Sequence, residues 1–367
     1  MNRSARTVIP RILLSLATLA LAASLLWGVA AGRLSFDPGS TQPGSGGSVA
    51  AGGTSAGNGS GVTGPVEGGV LALTDEGRSI AVLQPRDGSL RGRIELDDSA
   101  ATITPTPGGV SVFVTFPDRP VIEVYSTTEY RLQETIEVDA GVPEYLTFSE
   151  NGDTLFVTYR ESDTVSVFSH SQLELTPRNS FEVPQGSGPV VRNRRATRVY
   201  RQSEAGLRQI YVQNGALVET IQVDAERWRF AGGYEHLVGV APDGTAQVLE
   251  TSSGDVSTLP VKGSSEAGSG ALAVSGNRTL MLLEGGERVA VLAPGSGEPR
   301  GELSLPFPVA RVAANGLGTV WAVAPDGRIA VIDPARARIA QTLESPVEKP
   351  GALAASIVKQ EGNFACF

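Results

Sequence analysis

The sequence predicts an all-β fold: a seven-bladed β-propeller closed by a C-terminal strand and preceded by an N-terminal apolar helix and a flexible linker. Three observations carry that prediction. A strand–turn–strand motif recurs at a spacing of about 40 residues, and further strands flank each copy to give four per unit. No helical periodicity of about 10–15 residues interrupts them, which argues against βαβ units. The composition agrees, with 44 glycines and two methionines among 367 residues, a turn-rich and helix-poor balance.

The N-terminal segment, 1–33, carries Arg3, Arg6 and Arg11 ahead of an uncharged run from Ile12 to Gly32, ILLSLATLALAASLLWGVAAG. A spanning helix needs about 20 apolar residues and the core of a signal peptide about 7–15, so the length reads as an uncleaved anchor. The positive-inside rule then puts the body outside the cytoplasm, and Trp27 suits the outer interface. The expectation is a single-pass cell-membrane protein. Cleavage at Val29-Ala30-Ala31 is the alternative and leaves a secreted or periplasmic protein. Residues 34–68 are Gly/Ser-rich and almost uncharged, a disordered linker with an r.m.s. span of about 30 Å.

The propeller is expected over 69–357. The motif reads VLALTDEGRSIAVL from Val70, VFVTFPDRPVIEVY from Val112 and LFVTYRESDTVSVF from Leu155. It continues as RVYRQSEAGLRQIYV from Arg198, LVGVAPDGTAQVL from Leu237, LMLLEGGERVAVL from Leu280 and VWAVAPDGRIAVID from Val320. Each copy is an apolar strand, about four polar residues, then a second strand with alternation. A fourth strand follows, as in LQETIEV at 132–138, and a first strand precedes, as in PEYLTFS at 143–149. First strands fall near 101, 143, 188, 227, 269, 308 and 350. The segment 70–96 has three strands and lacks a first one, while GALAAS at 351–356 is a first strand without successors. Pairing the two closes the ring and removes an open edge. The tail, 358–367, follows.

VFVTFPDRPVIEVY, LFVTYRESDTVSVF and VWAVAPDGRIAVID resemble YVTN-type repeats of β-propeller proteins, closely in blades 2, 3 and 7 and as a pattern over 69–357. The family's Asn after Val-Thr is Tyr159 in blade 3 and Phe116 in blade 2, and its Asp closing the third strand survives as Asp333. The resemblance implies a seven-bladed propeller and extracytoplasmic residence, and it implies no single activity.

Composition narrows the chemistry. Net charge is −9, and without Arg3, Arg6, Arg11 and Arg33 the remainder stands at −13, so a nucleic-acid partner is not expected. Cys-x-x-Cys-His, P-loop and Gly-x-Ser-x-Gly motifs are absent, and one cysteine, Cys366, permits no intramolecular disulfide. His170 and His236 read as surface turn residues two blades apart. The second-to-third-strand turns each carry an acid and mostly an arginine. Asp118, Arg119, Arg160, Glu161, Asp163 and Asp326 belong to this ring, which is expected to surround one channel mouth and to offer a polar ligand, or Ca²⁺, its oxygens. The competing reading is structural, because Asp-Gly makes tight hairpins. No cofactor and no catalytic residues are assigned.

A basic stretch, VVRNRRATRVYRQ, places Arg192, Arg194 and Arg195 in blade 4, either as an anion or acidic-partner site or as a solvated turn. Alternation sets Arg198 apart from Val199, and Arg201 ends its strand, so neither need be buried. The expected function is a non-catalytic binding or scaffold module for a protein or polysaccharide partner at the cell surface. Alternatives are a lactonase-type hydrolase with a carboxylate-bound metal, or a structural cell-surface component.

Overall fold

The computed structural model describes residues 69–171, 174–184, 186–193, 195–230, 235–264, 271–275, 278–293, 296–314, 318–344 and 353–355. The apolar segment, the linker, Arg194, Cys366 and the tail lie outside the described residues.

Among the described residues, twenty-eight strands form seven four-stranded antiparallel sheets. Blade 1 has β1 (Val70–Thr74), β2 (Ser79–Leu83) and β3 (Leu90–Glu95); blade 2 has β4 (Thr102–Pro105), β5 (Ser111–Thr115), β6 (Val121–Ser126) and β7 (Leu132–Glu137). Blade 3 has β8 (Pro143–Phe148), β9 (Thr154–Tyr159), β10 (Thr164–Ser171) and β11 (Glu174–Glu182). Blade 4 has β12 (Gly186–Arg192), β13 (Arg198–Ser203), β14 (Gly206–Tyr211) and β15 (Leu217–Ile221). Blade 5 has β16 (Arg227–Phe230), β17 (His236–Val240), β18 (Thr245–Glu250) and β19 (Val256–Lys262). Blade 6 has β20 (Leu272–Ser275), β21 (Arg278–Leu282), β22 (Arg288–Leu292) and β23 (Pro299–Ser304). Blade 7 has β24 (Arg311–Ala314), β25 (Val320–Val323), β26 (Arg328–Asp333) and β27 (Arg338–Glu344). The last strand, β28 (Leu353–Ala355), pairs with β1 through Val70–Ala355, Leu71–Ala354 and Ala72–Leu353. Blade 1 thus takes its first strand from the far end of the chain, as the repeat count requires.

Burial explains why the middle strands are continuous apolar runs. Each is covered on both faces, so successive side chains enter different cores. Val112 and Val114 of β5 pack toward blade 1, whereas Phe113 between them packs toward blade 3. Val320 and Ala322 of β25 face blade 6, whereas Trp321 and Val323 face blade 1. Seven apolar cores result among the described residues, one between each pair of neighbouring blades. The core between blades 7 and 1 joins Trp321 to Val70 and Leu83 and seals the ring. Each large apolar side chain removed from water contributes about 1.5–3 kcal/mol. Fourth strands lose the outer cover and turn polar, as in β7, where only Glu134 and Ile136 escape full exposure.

Sequence boundaries hold for most elements. Two features differ. β11 begins at Glu174, well before the Ser180 at which SFEV suggests a start. In six blades the register between the third and fourth strands slips after the third strand's fourth residue, for instance between Val82 and Leu83 and between Val331 and Ile332. Such bulges raise local twist, which lets each blade splay from channel to rim. First strands touch in sequence around the ring, from β4 through β24 to β28 and back to β4.

Candidate ligand-binding site at the channel mouth

Because strands alternate direction, the second-to-third turns share one end of the ring with the start of each first strand. The expected turn ring does occupy that end, but its charges are mostly engaged locally. Arg328 donates from Nε to Asp326 Oδ2 at 2.8 Å, and its backbone N–H donates to Asp326 Oδ1 at 3.1 Å. Gly327 has φ +92, which is why Asp-Gly is needed in that turn. Arg119 bonds Glu123 Oε1 at 2.7 Å and lies over the Phe116 ring at 4.3 Å. Glu123 is buried and also accepts the Tyr125 hydroxyl at 2.6 Å; burial and that carboxylate push the tyrosine pKa upward. Arg160 reaches Asp118 at 3.7 Å, a solvent-exposed bridge between blades 3 and 2. Glu161 takes positive φ, +55, in its turn. Asp163 supplies a backbone carbonyl to Arg201 at 3.0 Å. Among the described residues no group of three His, Cys, Asp or Glu is placed to hold a metal ion.

The arginines of blade 4 are spread along the sheet. Arg192 donates from Nε to the Phe148 carbonyl at 2.5 Å, tying blade 4 to blade 3. Arg195 is exposed in the first-to-second turn, and Arg198 lies over the Tyr211 ring at 5.1 Å. Arg201 overturns its sequence-based expectation. It is 2% exposed and donates to the carbonyls of Asp163 and Ser162, because the blade 3 turn folds over the end of β13. Desolvation lowers its pKa.

Neither histidine is a free surface turn. His170 belongs to β10, donates from Nδ1 to the Gly152 carbonyl at 2.7 Å, and stands edge-on to Phe113 and Phe148. His236 opens β17 and is half-buried. Both were expected in turns because polar residues around them hide the extension of the strands.

A cavity of about 760 Å³ opens at the mouth between blades 3 and 6. Its wall includes Tyr145 of blade 3, Ser187 and Gln202 of blade 4, and Arg227 and Arg229 of blade 5. Leu207, Val240 and Leu272 supply apolar surface. Glu204 and Glu226 line it too, and both are exposed. The local sequence builds this wall. In β16, R-W-R-F alternates, so Trp228 and Phe230 enter the core between blades 4 and 5 while Arg227 and Arg229 face the cavity. Trp228 anchors by donating from Nε1 to the Ala225 carbonyl at 2.9 Å. Gly239 lies opposite it, and a Cβ there would sit 2.7 Å from the indole ring. In β12 the pairing with β13 breaks between Ser187 and Val191, which opens the blade where Gly188 and Pro189 line the cavity.

Electrostatics there are uneven. Burial raises the Tyr145 pKa, the Glu144 carboxylate adds to the rise, and Arg227 opposes it. Burial also raises Tyr200, whose hydroxyl is held by Gln209 Nε2. Arg229 is exposed on the cavity side of β16, and desolvation by the surrounding blades pulls its pKa down. Asp118, Arg119, Arg160, Glu161, Asp163, Asp326, Arg192 and Arg195 are not in this wall. The residues that are had one legible signal, arginine at alternating positions of a first strand. It was obscured by the denser arginines of blade 4.

No family model matches the chain, and no curated protein matches it. Solved structures do. Apo AztD from Citrobacter koseri is 12% identical with a TM-score of 0.60, covering 78% of this chain and 96% of that one. A functionally unknown protein from Desulfotomaculum acetoxidans DSM 771 is 12% identical with a TM-score of 0.60, covering 80% and 100%. The dihydro-heme d1 dehydrogenase NirN, in complex with DHE, is 11% identical with a TM-score of 0.56, covering 77% and 74%. At such identity the likeness is one of fold: the chain is an all-β, seven-bladed propeller.

Proposed function

We propose that this propeller is a non-catalytic binding module, tethered outside the cytoplasm by its N-terminal apolar segment, that engages a protein or polysaccharide partner with the channel-mouth face. The carrying observation is the 760 Å³ cavity, into which polar side chains from three blades converge between apolar walls. That combination is typical of ligand sites. The arginine-flanked run at Ile12–Gly32 and the Gly/Ser linker support the tether, and the YVTN-like repeats of blades 2, 3 and 7 support extracytoplasmic residence.

The test is capture from cell envelopes by the full chain, with protease and glycosidase arms to class the partner. Tyr145→Ala with Arg227→Ala should cut capture at least tenfold, and Arg195→Glu on the opposite face should leave it unchanged. Equal loss from both variants, or lactone hydrolysis by the purified chain, would overturn the reading. Deleting residues 1–33 should move the chain from the membrane fraction to the soluble one.

A further inference from the structure

Arg229 presents an unusual balance. Its guanidinium faces the cavity, and among the described residues it forms no hydrogen bond and no ion pair. A fully buried cation normally has a carboxylate or a ring of acceptors. Arg201 shows what this chain does when it buries an arginine for structure: two carbonyls of the neighbouring blade receive it. Arg229 differs: its side chain is exposed to the cavity, and no described residue receives it.

The surroundings fit an anion. Arg227 stands two residues away on the same side of β16 and lines the same cavity. The hydroxyls of Tyr145 and Ser187 and the amide of Gln202 add neutral hydrogen-bonding groups. Leu207, Val240 and Leu272 give an apolar wall for a body larger than an inorganic ion. Glu204 and Glu226 line the same cavity and are exposed, as Arg227 and Arg229 are, so the head group must reach the arginine side of the wall. All of this sits in a molecule of net charge −9, so local arrangement, not overall charge, is what would draw an anion in.

We propose that the channel-mouth cavity binds a small organic oxyanion, its carboxylate or phosphate held by Arg229 and Arg227 and its body set against the apolar wall. A guanidinium fork matches both head groups bidentately. The inference rests on the binding-module reading only in taking the channel mouth as the ligand-bearing face.

The full chain is titrated by calorimetry with 2-naphthoate, 2-naphthyl phosphate and the neutral 2-naphthalenemethanol at matched ionic strength. At least one anion should bind saturably and at least tenfold more tightly than the alcohol, and the stronger of the two identifies the head group. Arg229→Gln should weaken that anion at least tenfold, and Arg229→Lys should weaken it less, since charge remains and the fork is lost. Arg336→Gln, in a distal turn where Arg336 pairs with Asp333, should change nothing. Equal binding of anion and alcohol, absence of binding by all three, or indifference to Arg229→Gln would overturn the proposal. If the anions fail while envelope capture persists, the oxyanion site falls and the binding-module reading stands. If an anion binds through Arg229 and no partner is captured, the converse holds.

Discussion

Arg201 is nearly sealed from water and holds the blade 3 turn to blade 4 through the Asp163 and Ser162 carbonyls. Arg201→Ala leaves those acceptors unpaired and a hole in the interface, and should cost about 2–4 kcal/mol in chemical denaturation. Arg201→Met keeps volume and discards the desolvated charge, so its cost should be smaller. A Met variant as unstable as the Ala variant would refute this account. Asp153 gives a pH-dependent counterpart. Burial pushes its pKa up, but hydrogen bonds from Ser149, Thr154 and Asn151 outweigh that and hold it below the ordinary carboxylate value. A depressed folded pKa stabilises above the unfolded value of about 3.9, and that contribution fades as pH falls through the folded value. The stability gap between wild type and Asp153→Asn should therefore be wider at pH 7 than at pH 2.5. An unchanged gap in urea titrations would count against it. At this scale the sequence was legible where chemistry is local. Asp243-Gly244 and Asp326-Gly327 announce their turns, and each carboxylate accepts the backbone N–H two residues on, from Thr245 and Arg328. Arg201 was not legible, because its burial comes from a turn some 40 residues earlier in the repeat pattern.

Strands show the same division. The middle strands were readable from apolar runs bounded by turn residues, since a strand covered on both faces needs apolar side chains on both. The bulge recurring between third and fourth strands left no composition signal, because it depends on how twist accumulates across a sheet. The hairpin between β25 and β26 yields a prediction. Gly327 sits at φ +92, so Gly327→Val should cost about 1–3 kcal/mol, measured by thermal or urea unfolding, without altering the sheet content in circular dichroism. A neutral substitution would show that the turn relaxes to another type. β16 illustrates how an element can hold both kinds of information. Its alternation was plain, but a strand's pattern does not say which side is core and which is channel until neighbouring blades are in place.

Ring closure operates on the whole molecule. β28 pairs with β1, and the core around Trp321 joins blade 7 to blade 1. A chain ending at Lys349 loses that strand and bares the edge of β1. It should unfold about 5–10 °C lower and aggregate more readily, as an open hydrophobic edge strand does. Scanning calorimetry with light scattering checks both, and a truncated chain as stable as wild type would mean that closure contributes little beyond packing between blades 7 and 1.

The amino-acid sequence by itself determined the repeat, the number of blades and the borrowed first strand, because each rests on short-range alternation and turn chemistry copied along the chain. Tertiary structure decided which charges meet. Asp118, Arg160, Glu161 and Asp326 were conspicuous as residues and sit in separate hairpin turns, where Asp326 pairs with Arg328 and Arg160 reaches Asp118 of the neighbouring blade in solvent. Tyr145, Gln202 and Arg229 were inconspicuous and come together only because the ring brings the inner strands of blades 3, 4 and 5 around one cavity. Convergence across blades is a property of closure, and no local pattern encodes it.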